Sequence, residues 1–71
     1  MSNTLTVNGV EKTFDADNMP GTISDLLEQM NISQATVVAE LNGKIINRRD
    51  FAETKIAPGH TIELVRFVGG G

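Results

Sequence analysis

Apolar and polar residues alternate along several stretches of this chain, and a helical period interrupts them once. Thr4-Leu5-Thr6-Val7 has the period of two that marks a half-buried strand. Asn8-Gly9 follows, a pair suited to a tight turn in which both central residues take positive φ. Val10 to Phe14 then returns as the second arm of a hairpin, with Leu5, Val7 and Phe14 expected to face the core. Asp15 to Gly21 reads as a connection. Thr22 is a good helix N-cap, and Asp25 can complete a reciprocal cap. Ile23, Leu26, Leu27 and Met30 share one helical face, with Ser24, Glu28 and Gln29 opposite, so the spacing predicts a helix over 22–30 that ends near Asn31. Val37, Ala39 and Leu41 alternate with Val38 and Glu40. Asn42-Gly43 gives a second turn into Lys44-Ile45-Ile46. Residues 47–55 are polar around Phe51, which should anchor a connection with one helical turn. Ala57-Pro58-Gly59-His60 is a turn by composition. Thr61 to Val68 is the last strand, with Ile62 and Leu64 inward.

The order is hairpin, helix, hairpin, irregular connection and final strand. It resembles the plan of the ubiquitin-like β-grasp, an α+β fold in which one main helix packs across a mixed sheet. That plan puts the last strand centrally beside the first and parallel to it, which a right-handed crossover favours. Another small α+β roll is the alternative.

Composition narrows the chemistry. With 71 residues the chain has room for one domain. It has no Cys, which excludes disulfides, thiolate metal sites and cysteine nucleophiles. Its single His cannot build a His-rich metal centre, so His60 is read as a turn residue. Six basic against nine acidic residues give a net charge of −3, no footprint for nucleic acid or an anionic membrane. The longest apolar run falls far short of a membrane span of about 20 residues. The polar start, Met1-Ser2-Asn3-Thr4, does not read as a signal peptide, and a cytoplasmic location is expected.

Gly69-Gly70-Gly71 is the segment with no folding role, since glycine has the largest backbone entropy to lose and no side chain to bury. The reading is a domain over 1–68 and a flexible C-terminal glycine tail over 69–71. A tail without Cβ atoms can thread a narrow channel. Its terminal carboxylate, ionised at neutral pH, becomes an electrophile only when a partner activates it, for example as an acyl-adenylate.

The early Asn8-Gly9 hairpin, Thr22 to Leu27, Val37 to Ile46 and above all Pro58 to Gly71 together resemble the ThiS-type sulfur carriers of the ThiS/MoaD branch of the ubiquitin-like superfamily. The resemblance implies a protein cosubstrate in thiamine (thiazole) biosynthesis, with no active site and no bound cofactor of its own. A ThiF/MoeB-type adenylating enzyme would use ATP and Mg to adenylate Gly71. A persulfide sulfur donor would then convert Gly71 to a thiocarboxylate, and thiazole synthase would accept the sulfur. Alternatives are a MoaD-like small subunit of molybdopterin synthase, a ubiquitin-like protein modifier, and a β-grasp interaction domain with an inert tail.

Phe67 and Val68 border the glycines and are candidates for docking onto partners, or else complete the core. Val65 and Val38 are candidates for an exposed apolar patch on the outer sheet face, or for simple burial. Arg66, close to the glycines, is the basic residue best placed for partner contact. Arg48 and Arg49 read as solvated.

Overall fold

The computed structural model describes residues 3–66. Five strands form one mixed sheet: β1 (Asn3–Val7), β2 (Val10–Phe14), β3 (Val37–Leu41), β4 (Lys44–Ile46) and β5 (Thr61–Arg66). Their order is β2-β1-β5-β3-β4, so the last strand sits in the middle. It runs parallel to β1, with Thr6 opposite Thr61 and Val7 opposite Ile62, and antiparallel to β3 from Leu41↔Ile62 to Val37↔Arg66. The β-grasp plan read from the sequence is the observed one.

Both Asn-Gly pairs turn as their chemistry requires. Asn8 and Asn42 each hold φ at 51°, followed by Gly9 at 81° and Gly43 at 86°. Their carboxamides also reach the central strand. Asn8 Oδ1 accepts from the Leu64 N–H at 2.7 Å, and Asn42 Oδ1 accepts from the Thr61 N–H at 2.8 Å. Each hairpin therefore stitches its turn to β5.

The helix α1 (Ile23–Gln29) is shorter than the periodicity predicts by one residue at each end, because Thr22 and Met30 are its caps. Thr22 Oγ1 accepts from the Asp25 N–H at 3.1 Å. The reciprocal bond lands one residue early: the Asp25 carboxylate accepts from Gly21 N–H, while Thr22 forms a bridge with Lys55. At the other end Asn31 takes φ 59°, with Asn31 N–H bonded to the Glu28 carbonyl and Ile32 N–H to the Leu27 carbonyl. That pair of bonds closes the helix as a Schellman motif. Ser24 is only half-exposed, against the solvent position expected of it. Its N–H bonds to the Phe51 carbonyl, and its hydroxyl is enclosed without a partner.

The core lies between α1 and one sheet face. Ile23, Leu26 and Leu27 meet Leu5, Val7, Val37, Ala39, Ile62 and Leu64, and Phe51 and Ile56 close the side from the long connection. Phe51 follows a short 3₁₀ turn at Arg48–Asp50 and is 1% exposed, the anchor expected of it. Two further 3₁₀ turns are Ala16–Asn18, within the stretch read as a connection, and Gln34–Thr36, just before β3.

Phe51→Ala should cost about 3–5 kcal/mol, a large part of the roughly 4–11 kcal/mol a domain of this length holds. Urea unfolding should show a sharply lowered midpoint or no cooperative transition, and an unchanged midpoint would contradict the placement of Phe51. Asn8→Gly keeps the left-handed turn but removes the acceptor for Leu64 N–H. It should lose about 1–2 kcal/mol, and Asn8→Ala should lose more because left-handed strain is added. Denaturation of Asn8→Gly at the wild-type midpoint would show that the carboxamide contributes nothing.

Candidate functional site

The alternation that buries Ile62 and Leu64 sends Thr61, Glu63 and Val65 to the opposite face of the sheet. Val65 is 58% exposed and stands directly across from Val38, which is half-buried. The candidate apolar patch is therefore real at Val65 and shared by Val38. Ile45 extends it and was not singled out from the sequence. Pairing across the Asn42-Gly43 turn puts Ile46 opposite the buried Ala39, which leaves Ile45 outward at 65% exposure. The alternation within Lys44-Ile45-Ile46, combined with the turn register, carried that information.

Beside the patch an open groove of ≈ 390 Å³ runs between Gln34, Ala35, Val38, Ile45, Asn47 and Arg48. Its lining is mostly apolar and includes Arg48. Arg49 is exposed on the same short turn. Arg66 is exposed at the end of β5, opposite Val37, hence on the helix side of the sheet rather than beside Val65. The structure brings Val38 and Val65 together and sets Arg66 apart from them.

The outer face also carries charge. Glu40 and Glu63 are directly opposite each other on β3 and β5, next to the Val38–Val65 pair. Like charges so placed repel. Thr6, between Thr61 and Glu11 in register, continues this face as a polar surface. Glu40 also lies between Ile45 and Glu63 in register, so apolar and acidic side chains interleave on this face.

Among the described residues no cluster of three or more His, Cys, Asp or Glu is placed to hold a metal ion. His60 is used within its turn: Nδ1 accepts from the Ala57 N–H at 3.2 Å, which puts any single ring proton on Nε2. Phe67, Val68 and Gly69 to Gly71 lie outside the described residues. The strand that leads to them is fixed on both edges through Leu64, by β3 on one side and by β1 with Asn8 on the other.

Comparison with known proteins places this geometry. The sulfur carrier protein ThiS of Bacillus subtilis is 36% identical over 67 residues, covering 94% of this chain and 98% of that one. The crystal structure of the thiamine biosynthesis protein ThiS from Geobacter metallireducens matches with a TM-score of 0.79 at 36% identity, over 96% of this chain and 99% of that one. Its NMR solution structure matches with a TM-score of 0.77. A thiazole synthase of Paramagnetospirillum magneticum is 31% identical over 67 residues, and there the match covers 94% of this chain but 20% of the larger protein. The family model described as the ThiS family matches residues 5–71, the terminal glycines included. With a β-grasp body, and with a family match and relatives that cover nearly all of its length, this chain belongs to the ThiS family.

Proposed function

We propose that this protein carries sulfur for thiazole formation in thiamine biosynthesis, and that Gly71 is the atom-bearing end. The observation that supports the reading most is that the ThiS family match runs through β5 and on to Gly71. The Gly71 carboxylate would attack the α-phosphorus of ATP on an adenylating enzyme, releasing pyrophosphate and leaving an acyl-adenylate. A persulfide sulfur would attack the carbonyl carbon and expel AMP. Cleavage of the sulfur–sulfur bond by a second thiol would leave a thiocarboxylate. This chain contains no Cys, so both thiols belong to partners. Mg and ATP likewise belong to the activating enzyme. The carrier contributes a folded body, a docking face and the reactive end.

Thiazole synthase is the proposed acceptor. The Paramagnetospirillum thiazole synthase contains a segment resembling this chain within one longer polypeptide. Joining carrier and acceptor in one chain is what delivery between them would favour, because a linker raises the effective concentration of the pair.

Docking is assigned to the outer face. Val38, Val65 and Ile45 would supply the apolar contact, with Glu40 and Glu63 steering toward a basic rim on the partner. Arg66, Phe67 and Val68 would contact the partner where the chain leaves the body for Gly69, Gly70 and Gly71.

Incubation with ATP, Mg, an adenylating enzyme and a persulfide donor should raise the intact mass by the exchange of one oxygen for one sulfur. Unchanged mass with competent enzymes would overturn the carrier reading, and isopeptide adducts would show a protein modifier instead. Removing Gly71 should abolish the exchange while leaving the thermal melt nearly unmoved, since a glycine buries no side chain.

Val65→Asp should cost the fold about 1 kcal/mol, since it puts a poor strand former beside Glu63 in the central strand, yet leave it folded and weaken binding to the adenylating enzyme by tenfold or more, about 1.4 kcal/mol. Glu63→Gln should stabilise the fold by about 0.2–1 kcal/mol by relieving the repulsion from Glu40. Binding measured by calorimetry and unfolding by urea check both. Wild-type binding by Val65→Asp would remove the docking assignment.

A further inference from the structure

β1 leaves the side of β5 early. Their register ends at Val7↔Ile62. Asn8 N–H then bonds to the Ile62 carbonyl at 2.9 Å, and its side-chain oxygen takes the Leu64 N–H. After that the chain turns away through Gly9, where an added Cβ would meet nothing within 4 Å. Backbone polar groups point alternately to the two sides of a strand. Ile62 and Leu64 bond toward β1. Thr61 bonds the other way, its N–H to Asn42 Oδ1 and its carbonyl to Asn42 N–H. Hence Leu64 C=O and Arg66 N–H both face the β1 side. Among the described residues β1 offers no register position beyond Ile62, and Asn8 is already engaged by Leu64 N–H.

We propose that this open edge, Leu64 C=O and Arg66 N–H, receives an extended backbone segment of the adenylating enzyme by strand addition. The proposal rests on the carrier reading above. Two features select that occupant. Gly69 to Gly71 present no side chains, so a partner can register them only through backbone groups and the carboxylate. Arg66 is five residues before Gly71, a reach of at most about 17 Å of extended chain. An enzyme acting on the Gly71 carboxylate therefore comes within that reach of the end of β5, where β3 already holds the other edge. A strand laid against the open edge fixes the direction and register of the chain just before the glycines, whatever the side chains.

Proline tests the donor specifically. At position 66 it removes an N–H that faces away from β3, and Val65 before it is already extended, so the β3 ladder is retained. Arg66→Pro is compared with Arg66→Ala, which loses the same side chain but keeps the N–H. The readout is the KM for the carrier in adenylation by the ThiF/MoeB-type enzyme with Mg-ATP. Arg66→Pro should raise KM about three- to tenfold above Arg66→Ala, with the two melts alike. Equal KM values would overturn the proposal. Amide exchange in the wild-type protein decides the matter independently should Arg66→Pro not fold. The Arg66 amide should exchange fast in the free protein and slow on addition of the enzyme with Mg-ATP. No slowing would overturn the edge assignment, and slowing with carrier concentration alone would assign the edge to a second copy of this chain. Absence of any adenylation of the wild type would instead overturn the carrier reading itself.

Discussion

Strand β5 has β3 along one edge over five register positions, but on the other edge β1 supplies only two, at Thr61 and Ile62. The remaining support comes from Asn8, whose backbone and carboxamide hold Ile62 and Leu64. Asn42 does the matching work at Thr61. The inner side chains of β5, Ile62 and Leu64, close the core against the sheet's neighbours and α1, so the strand is fixed by packing and by its edges together. Because β5 is also the last strand, everything that stabilises the body is transmitted to the point where the chain departs toward Gly71. A partner that recognises the body therefore meets the end of β5, from which the chain continues toward Gly71, at a fixed place.

This constraint explains the two faces of the sheet. The inner face is occupied by α1, Phe51 and Ile56, and no charged or polar residue is buried among the described residues. Among the described residues the outer face has no covering element. It keeps Val65 and Ile45 exposed and places Glu40 against Glu63. Both features disfavour the isolated fold slightly, since apolar surface stays in water and like charges adjoin. They are the features expected of the docking face proposed above.

Much of this was legible in the sequence because the decisive signals were local. Asn8-Gly9 and Asn42-Gly43 demand positive φ, Thr22 marks a helix start, and alternation within Thr61 to Arg66 separates Ile62 and Leu64 from Val65. The long-range features were not. A local reading makes Asn8 a turn residue, but its bond to Leu64 spans 56 positions. Ile56 sits alone in a polar connection and enters the core only because Thr22 bridges Lys55 and the Gly21 carbonyl takes the Ile56 N–H. The 3₁₀ turns at Ala16–Asn18 and Gln34–Thr36 are too short to show a period. Ile45 required the register of β3 and β4 before its exposure could be read.

The central claim is that a core-anchored last strand presents one sulfur-bearing atom group, at Gly71. Peptide mass mapping of carrier sulfurated by its adenylating enzyme and persulfide donor tests it most directly. The account predicts the oxygen-to-sulfur change on the peptide that ends in Gly71, with every other peptide unmodified. Sulfur located on any other peptide, or a C-terminal peptide that keeps both oxygens in a sulfurated sample, would contradict it.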